Sequence, residues 1–184
     1  MVKPDLGSQS RPVFSPARKI VLIALFTALG LIVSFVEIPI MPNLKYDPAN
    51  IMALLCGFIV GPLWGVLAGA LMALLHALVT GNWWGAVVNI CVATAFVLPA
   101  ALVYRHTQRT ILQIVGLVLS CILLVVVAIV LNVAIYPLLG TPLNTVVAMI
   151  IPLLLPFNII KGVLNAVLAF ALIKALRLLV WQLG

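Results

Sequence analysis

Three polar side chains recur at helical spacing within the last apolar run of this 184-residue chain. Asn158, Lys161 and Asn165 are three and four residues apart, so in a helix at about 100° per residue they share an arc of about 60°. Placing a charge at the depth of a helix centre in a membrane costs about 2.5–3.5 kcal/mol, and such residues usually face a cavity or a partner. The spacing therefore predicts a polar stripe that forms part of a ligand-binding site.

Two further asparagines stand alone within apolar runs. Asn132 lies in the fifth run and Asn89 in the fourth, and we expect both to belong to the ligand site. Amides in membrane helices also form interhelical hydrogen bonds, worth about 0.6 kcal/mol on average, and this is the alternative role for Asn132, Asn158 and Asn165. The alternative for Lys161 is that its amine extends to the membrane interface. We interpret His76 as a packed neutral histidine, because no membrane carboxylate lies near it in sequence.

The sequence lacks the motifs on which common enzyme chemistry depends. It has no GxxxxGK[ST] phosphate loop, no HExxH zinc motif and no GxSxG nucleophile elbow. Of its three carboxylates, Glu37 and Asp47 flank one loop, and Asp5 lies in the N-terminal tail. The cysteines lie within apolar runs without CxxC spacing, which favours small hydrophobic packing residues over metal ligands. The chain is therefore predicted to bind a ligand and not to be an enzyme.

The composition predicts an integral membrane protein. Hydrophobic residues make up 66% of the chain and charged residues 7%, with a mean hydropathy of +1.37. Soluble domains carry about 25% charged residues. In lipid, backbone polar groups have to be satisfied within the structure, which favours helices. The net charge of +7 does not indicate nucleic-acid binding, because the basic residues stand at the ends of apolar runs and not in one cluster.

The apolar runs predict an all-α, six-transmembrane-helix bundle, since about 20 helical residues cross a bilayer core. Run 51–60 is short and is the weakest span of the six. Residues 143–155 contain Pro152 and precede Pro156, so we expect a long, partly re-entrant loop between helices 5 and 6. The predicted helices cover residues 20–38, 51–60, 63–79, 85–104, 111–139 and 157–179.

The basic residues predict the orientation of this bundle. Six crossings place both termini on one side, and loops rich in Lys and Arg usually face the cytoplasm. With cytoplasmic termini, eight of the ten basic residues lie inside, Lys45 lies in an outer loop and Lys161 lies within a helix. Residues 1–17 are expected to form a flexible cytoplasmic tail, and residues 18–184 a single membrane domain.

Small residues at a spacing of four recur in two of the runs. Ala24 and Ala28 lie in the first run, and Gly65 and Gly69 lie in the third. Such pairs permit close approach of another helix. That helix can belong either to this chain or to another subunit.

Several stretches resemble a known transporter family over about residues 18–180. They are Ala24-Leu-Phe-Thr-Ala28, Leu44-Lys-Tyr-Asp-Pro48, Gly57-Phe-Ile-Val-Gly-Pro62, Phe96-Val-Leu-Pro99 with Tyr104-Arg105, and Pro156-Phe-Asn-Ile-Ile-Lys-Gly162. In this order they resemble the substrate-binding S component of energy-coupling factor (ECF) vitamin transporters, most closely the riboflavin-specific branch. The stretch around Asn158 and Lys161 is the most specific.

The resemblance implies a subunit of the bacterial cell membrane that binds one riboflavin molecule near the outer face. Its implied partners are a transmembrane coupling subunit and two ATPase subunits, with riboflavin as transported ligand and no cofactor. Asn132, Asn158 and Lys161 are implied to contact the ligand. Ala24 and Ala28 are implied to face the coupling subunit.

The resemblance also implies that the loop before the second helix covers the site. Leu44, Tyr46 and Asp47 belong to this loop. It continues with Ala49-Asn50, where the riboflavin branch has Ser-Asp. Two alternatives therefore stay open, namely an S component for another vitamin such as pantothenate or folate, and a structural membrane subunit without a ligand.

Overall fold

The computed structural model describes residues 14–36, 38–41 and 44–182, which form α-helices and one short β-hairpin. Glu37 and most of the predicted tail, residues 1–13, lie outside the described residues. The helices are α1 (Pro16–Ser34), α2 (Ala49–Ile59), α3 (Pro62–Thr80), α4 (Trp83–His106), α5 (Thr110–Ile135), α6 (Leu143–Met149) and α7 (Leu155–Gln182). The strands are β1 (Ile38–Met41) and β2 (Leu44–Tyr46).

Five helical segments in the described part are long and apolar enough to cross a membrane. They are Pro16–Ser34, Pro62–Thr80, Trp83–His106, Thr110–Leu139 and Leu143–Leu176. The remaining predicted span is α2, which is apolar but has 11 residues. By length, five of the six predicted runs therefore qualify as complete crossings, and α2 does not.

The short helix α2 lies in the middle of the bundle. It contacts α1, α3, α4 and α7, and most of its residues are buried, including Leu54 and Cys56 at 0% exposure. Pro48 precedes its first turn, and Gly61-Pro62 follows its end and begins α3. Because protein surrounds α2, the helix does not need the length that contact with lipid on all sides would require.

The glycine pair of α3 packs inside the chain. A Cβ atom on Gly65 would lie 2.6 Å from the Cα of Gly57 and 2.8 Å from the carbonyl oxygen of Ala53, both in α2. A Cβ atom on Gly69 would lie 3.1 Å from the Cβ of Ala93 in α4. The missing side chains thus allow the backbones of α2 and α3 to approach closely.

The all-α prediction is confirmed for the bundle, and one short β-hairpin is added to it. β1 pairs antiparallel with β2, with Ile38 opposite Tyr46, and α1 ends at Ser34 instead of continuing to Ile38. The helix cannot continue through Ile38, because Pro39 biases the residue before it towards extended backbone. Pairing the two strands satisfies backbone groups that the helix would otherwise have satisfied.

The predicted re-entrant loop between helices 5 and 6 is not confirmed, because this segment is helical. Residues 143–149 form α6, and a π-helical segment at Ile150–Leu154 joins α6 to α7. Pro152 lies inside this segment, where it cannot donate a backbone hydrogen bond. The wider π turn accommodates it, and Leu155 donates to the carbonyl of Ile150. The prolines therefore modify this helix without breaking it.

The first helix begins four residues before its predicted start. Ser15 is the N-cap and accepts a hydrogen bond from the backbone N–H of Arg18, and Pro16 occupies the first turn. Both residue types are favoured at these positions. Pro16 and Ala17 are consequently helical, which corrects the predicted flexible tail at its last two residues.

We expect Gly65→Ala to destabilise the protein by about 1–3 kcal/mol, because the added methyl group meets backbone atoms of α2 that cannot move aside. The measurement is thermal unfolding of the detergent-solubilised protein. Gly162→Ala is the matched control, since a Cβ there would make an ordinary contact of 3.5 Å with the Sγ of Cys121. Equal stability of the two variants would contradict this account of α2–α3 packing.

Candidate ligand-binding site

A cavity of about 410 Å³ lies at one end of the bundle. The C-terminal parts of α1, α3 and α5 line it, together with the N-terminal parts of α2, α4 and α7. The other end of α4 carries Arg105 in its last turn, and the turn to α5 that follows contains Arg109. The cavity therefore opens away from the basic end of the helices.

Most of the predicted ligand-binding residues meet at this cavity although four separate segments of the chain carry them. The predicted residues that line it are Asp47, Asn89, Asn132, Asn158 and Lys161. Tyr46 and Asn165 do not line it but form a buried contact nearby, one helical turn beyond Lys161. Leu44 belongs to β2, and its side chain lies outside the described part of the chain.

Two cavity asparagines are oriented by their own helices. Nδ2 of Asn132 donates to the carbonyl of Ala128 at 2.7 Å, and Nδ2 of Asn158 donates to the carbonyl of Leu154 at 2.8 Å. Each bond uses one of the two amide hydrogens. The second N–H and the Oδ1 of each side chain make no further hydrogen bond among the described residues, and they can therefore serve a ligand.

Lys161 and Asp47 form an ion pair at the edge of the cavity. Nζ of Lys161 lies 3.2 Å from Oδ2 of Asp47, and the two side chains are 8% and 24% exposed. The other carboxylate oxygen, Oδ1, accepts a hydrogen bond from the backbone N–H of Ala49 at 3.2 Å. The carboxylate is thus held between the first turn of α2 and the amine on α7.

Tyr46 and Asn165 make a second contact between the hairpin and α7. The Tyr46 hydroxyl donates to Oδ1 of Asn165 at 2.7 Å, and both side chains are buried. Burial, and secondarily the nearby charge of Asp47, raise the pKa of Tyr46 to about 12, so the hydroxyl keeps its proton. Nδ2 of Asn165 is buried and has no hydrogen-bond partner among the described residues, so the bond from Tyr46 is its side chain's one described hydrogen bond.

Comparison with known proteins identifies the family. Residues 18–173 match the family model of the ECF transporter, substrate-specific component. The chain belongs to this family. A solved S component of a bacterial ECF transporter is 27% identical and superposes with a TM-score of 0.76, covering 89% of this chain and 97% of that chain. No curated protein matches the chain.

Membership of this family confirms the predicted class of protein. This S component is a multi-pass membrane protein and the substrate-binding subunit of a transporter, which is not itself catalytic. S components of this family work with an ECF module of membrane and ATPase subunits. The riboflavin branch and the roles of individual site residues stay predictions.

Sequence reasoning missed several residues that line the cavity of this S component. Asn50 was expected only as the last residue of the covering loop and as a departure from the family pattern, whereas it lies in the first turn of α2 and lines the cavity. Trp84, in the first turn of α4, also lines the cavity, and the sequence does not separate it from the adjacent Trp83. Phe157 was not distinguishable from its apolar neighbours, because its position depends on how α7 packs.

His76 and Ser34 join α3 to α1 at the cavity. The Ser34 hydroxyl donates to the carbonyl of Leu31 at 2.7 Å and lies 2.8 Å from Nδ1 of His76. Because the hydroxyl proton is directed to Leu31, Ser34 accepts from Nδ1 of His76. The imidazole also stacks on Phe35 at 5.0 Å between ring centroids. These contacts are those of a packed histidine.

A second hollow, of about 690 Å³, lies between α5 and α7 and has a different character. Its lining is apolar except for Lys174, and several of its residues, including Ile114, Val118 and Ile122, are exposed on the outer surface of the bundle. It contains none of the predicted ligand-binding residues. Its chemistry suits acyl chains, whereas the smaller cavity offers the amides that a polar ligand requires.

We expect Tyr46→Phe to lower the stability of the S component by about 1–3 kcal/mol, because Asn165 then has no buried partner on either amide atom. Thermal unfolding in detergent measures this change. The double variant Tyr46→Phe with Asn165→Leu should recover most of the loss, since both polar partners are then apolar. Unchanged stability of Tyr46→Phe would show that this hydrogen bond does not hold the hairpin to α7.

Proposed function

We propose that this S component binds riboflavin with high affinity for an ECF-type, ATP-driven vitamin uptake transporter. The observation that carries the proposal is the cavity of about 410 Å³, in which Asn132 on α5 and Asn158 on α7 both present unused amide groups. Membership of the substrate-specific components favours this ligand-binding role over a structural subunit without a ligand.

The chemistry of riboflavin matches the two kinds of surface in the cavity. Its ring system is planar and apolar on both faces, and its pyrimidine-like edge alternates hydrogen-bond donors and acceptors. Asparagine amides supply both donors and acceptors, so Asn132 and Asn158 can pair with that edge. Met72, Val92 and Phe157 contribute apolar wall to the same cavity. Small-molecule sites typically combine such walls with a few placed polar groups.

The proposed orientation places both termini in the cytoplasm of a bacterial cell and the cavity at the outer face. It rests on the basic residues at the inner ends of the helices and on the position of the cavity at the opposite end of α4 from Arg105. In this arrangement α2 is the sixth, shortened helix of the bundle. The hairpin with Tyr46 and Asp47 then forms part of the outer cover over the ligand.

Uptake requires partners, since the sequence contains no phosphate-binding loop. We propose that the loaded S component docks on a transmembrane coupling subunit and reorients within the membrane as two ATPase subunits cycle. Ala24 and Ala28 are exposed on one face of α1, in contrast to the buried Gly65 and Gly69 of α3. The exposed alanine pair supports its assignment as the docking face.

Purified S component in lipid nanodiscs is expected to bind riboflavin at a ratio of one to one, measured by quenching of flavin fluorescence. Asn158→Ala should weaken binding by about tenfold or more, because a buried hydrogen bond to the ligand is lost. Asn144→Ala is the matched control, since Asn144 is exposed on α6 outside the cavity. Tight binding of pantothenate or folate without riboflavin binding would contradict the choice of vitamin.

We expect Ala24→Leu and Ala28→Leu to reduce vitamin uptake by cells at least about tenfold while riboflavin binding by the purified variants stays unchanged. A leucine side chain would keep a neighbouring helix from close approach. Ala134→Leu makes the same change at an exposed position on α5 and should leave uptake intact. Loss of riboflavin binding in the α1 variants would show that the pair acts within this chain.

A further inference from the structure

The charges on the described residues that line the cavity cancel. Among the described residues that line it, Asp47 and Lys161 carry the formal charges, and their side chains lie 3.2 Å apart. His76, which also lines it, is packed against Ser34 and Phe35. A ligand entering the cavity therefore meets a lysine whose charge is already neutralised.

We propose that Asp47 is a specificity-determining residue, which makes the site select neutral riboflavin over its phosphorylated form by neutralising Lys161. This inference rests on the proposed function and deepens it. Lys161 without a partner would attract anions strongly, because it is 8% exposed and lies where solvent and salt screen charges poorly. With Asp47 in place, that attraction is cancelled.

The structure holds Asp47 in the position that this role requires. Its Oδ1 accepts from the backbone N–H of Ala49, so the carboxylate lies at the N-terminus of α2, where the helix dipole favours a negative charge. The adjacent Tyr46 is fixed to Asn165 on α7. These contacts keep the carboxylate beside Lys161 before any ligand arrives.

An anionic ligand would have to compete with this arrangement. A phosphate that paired with Lys161 would displace Asp47 and leave a partly buried carboxylate without its cation, and separating such a pair is costly. A phosphate elsewhere in the cavity would face the carboxylate, and among the described lining residues no unpaired cation would offset it. A neutral ligand can instead accept a hydrogen bond from Lys161 while the ion pair persists, since the ammonium group has three donors.

Four forms of the protein test the proposal: the wild type, Asp47→Asn, Lys161→Gln and the double variant. For each, dissociation constants of riboflavin and riboflavin 5′-phosphate are measured in nanodiscs of neutral lipid at pH 8 and low salt. The readout is the ratio of the constant for the phosphate ester to that for riboflavin. Any general weakening of the site by a substitution cancels in this ratio.

Asp47→Asn is expected to lower the ratio by about tenfold or more, because one positive charge is left unpaired. Lys161→Gln should raise it by a similar factor, and the double variant should return it to within about threefold of the wild type. A purely structural role for the pair would instead move both single variants in the same direction or leave the ratio unchanged, and either result overturns the proposal.

Two further outcomes are distinct. If Asp47→Asn cannot be purified, the proposal is still tested by two results. The ratio of dissociation constants should rise in Lys161→Gln, and it should return towards the wild-type value in the double variant. Failure of the wild type to bind riboflavin overturns the proposed function, and with it this inference. Normal riboflavin binding with equal ratios in all four forms overturns this inference alone.

Discussion

A lysine amine inside a membrane bundle needs a partner, and the Lys161–Asp47 ion pair joins the two parts of the molecule that enclose the cavity. Lys161 belongs to α7, the longest helix, whereas Asp47 lies in the short connection between β2 and α2. One helical turn further along α7, Asn165 accepts from Tyr46. Tyr46 at the end of β2 and Asp47 after it are thus bound to consecutive turns of one helix, which fixes where α2 begins.

The position of α2 in turn creates the space for a ligand. α2 is 11 residues long and buried among longer helices, and it packs tightly on α3 through the contact between Gly57 and Gly65. Its first residues, Ala49 and Asn50, line the cavity, while α1, α3, α4, α5 and α7 continue along the walls. A full-length helix in the same place would fill this volume. The short central helix and the polar connection before it therefore act together to leave space for the cavity.

Hydropathy predicted the helices well because lipid imposes a simple rule: an apolar run of sufficient length has to be helical. The rule fails where local backbone chemistry determines where a helix begins or ends. Pro152 was interpreted as a break, yet a π turn absorbs it, and Pro16 begins a helix because a first-turn proline needs no hydrogen-bond partner. The β-hairpin was missed because hydropathy does not report the pairing between two short segments, residues 38–41 and 44–46.

The polar residues of the candidate site could be predicted from the same hydropathy pattern. A polar residue in an apolar run is conspicuous, so Asn132, Asn158 and Lys161 could be selected from the sequence, and the structure brings them to one cavity. Apolar wall residues carry no such signal, which is why Phe157 was missed. The ion pair could not be predicted either, because residues 47 and 161 are 114 positions apart and meet only through the packing of α2 against α7.

Neutrality of the site also bears on the proposed reorientation in the membrane. A lone ammonium group carried towards the centre of a bilayer costs several kcal/mol, and this cost would oppose any movement of the loaded subunit. Pairing Lys161 with Asp47 removes the net charge, and a neutral ligand adds none. The same pair can therefore serve both selection and movement, because an anionic cargo would restore the charge that the bilayer opposes. On this argument, the proposed preference for a neutral vitamin and the proposed reorientation in the membrane have a common physical origin.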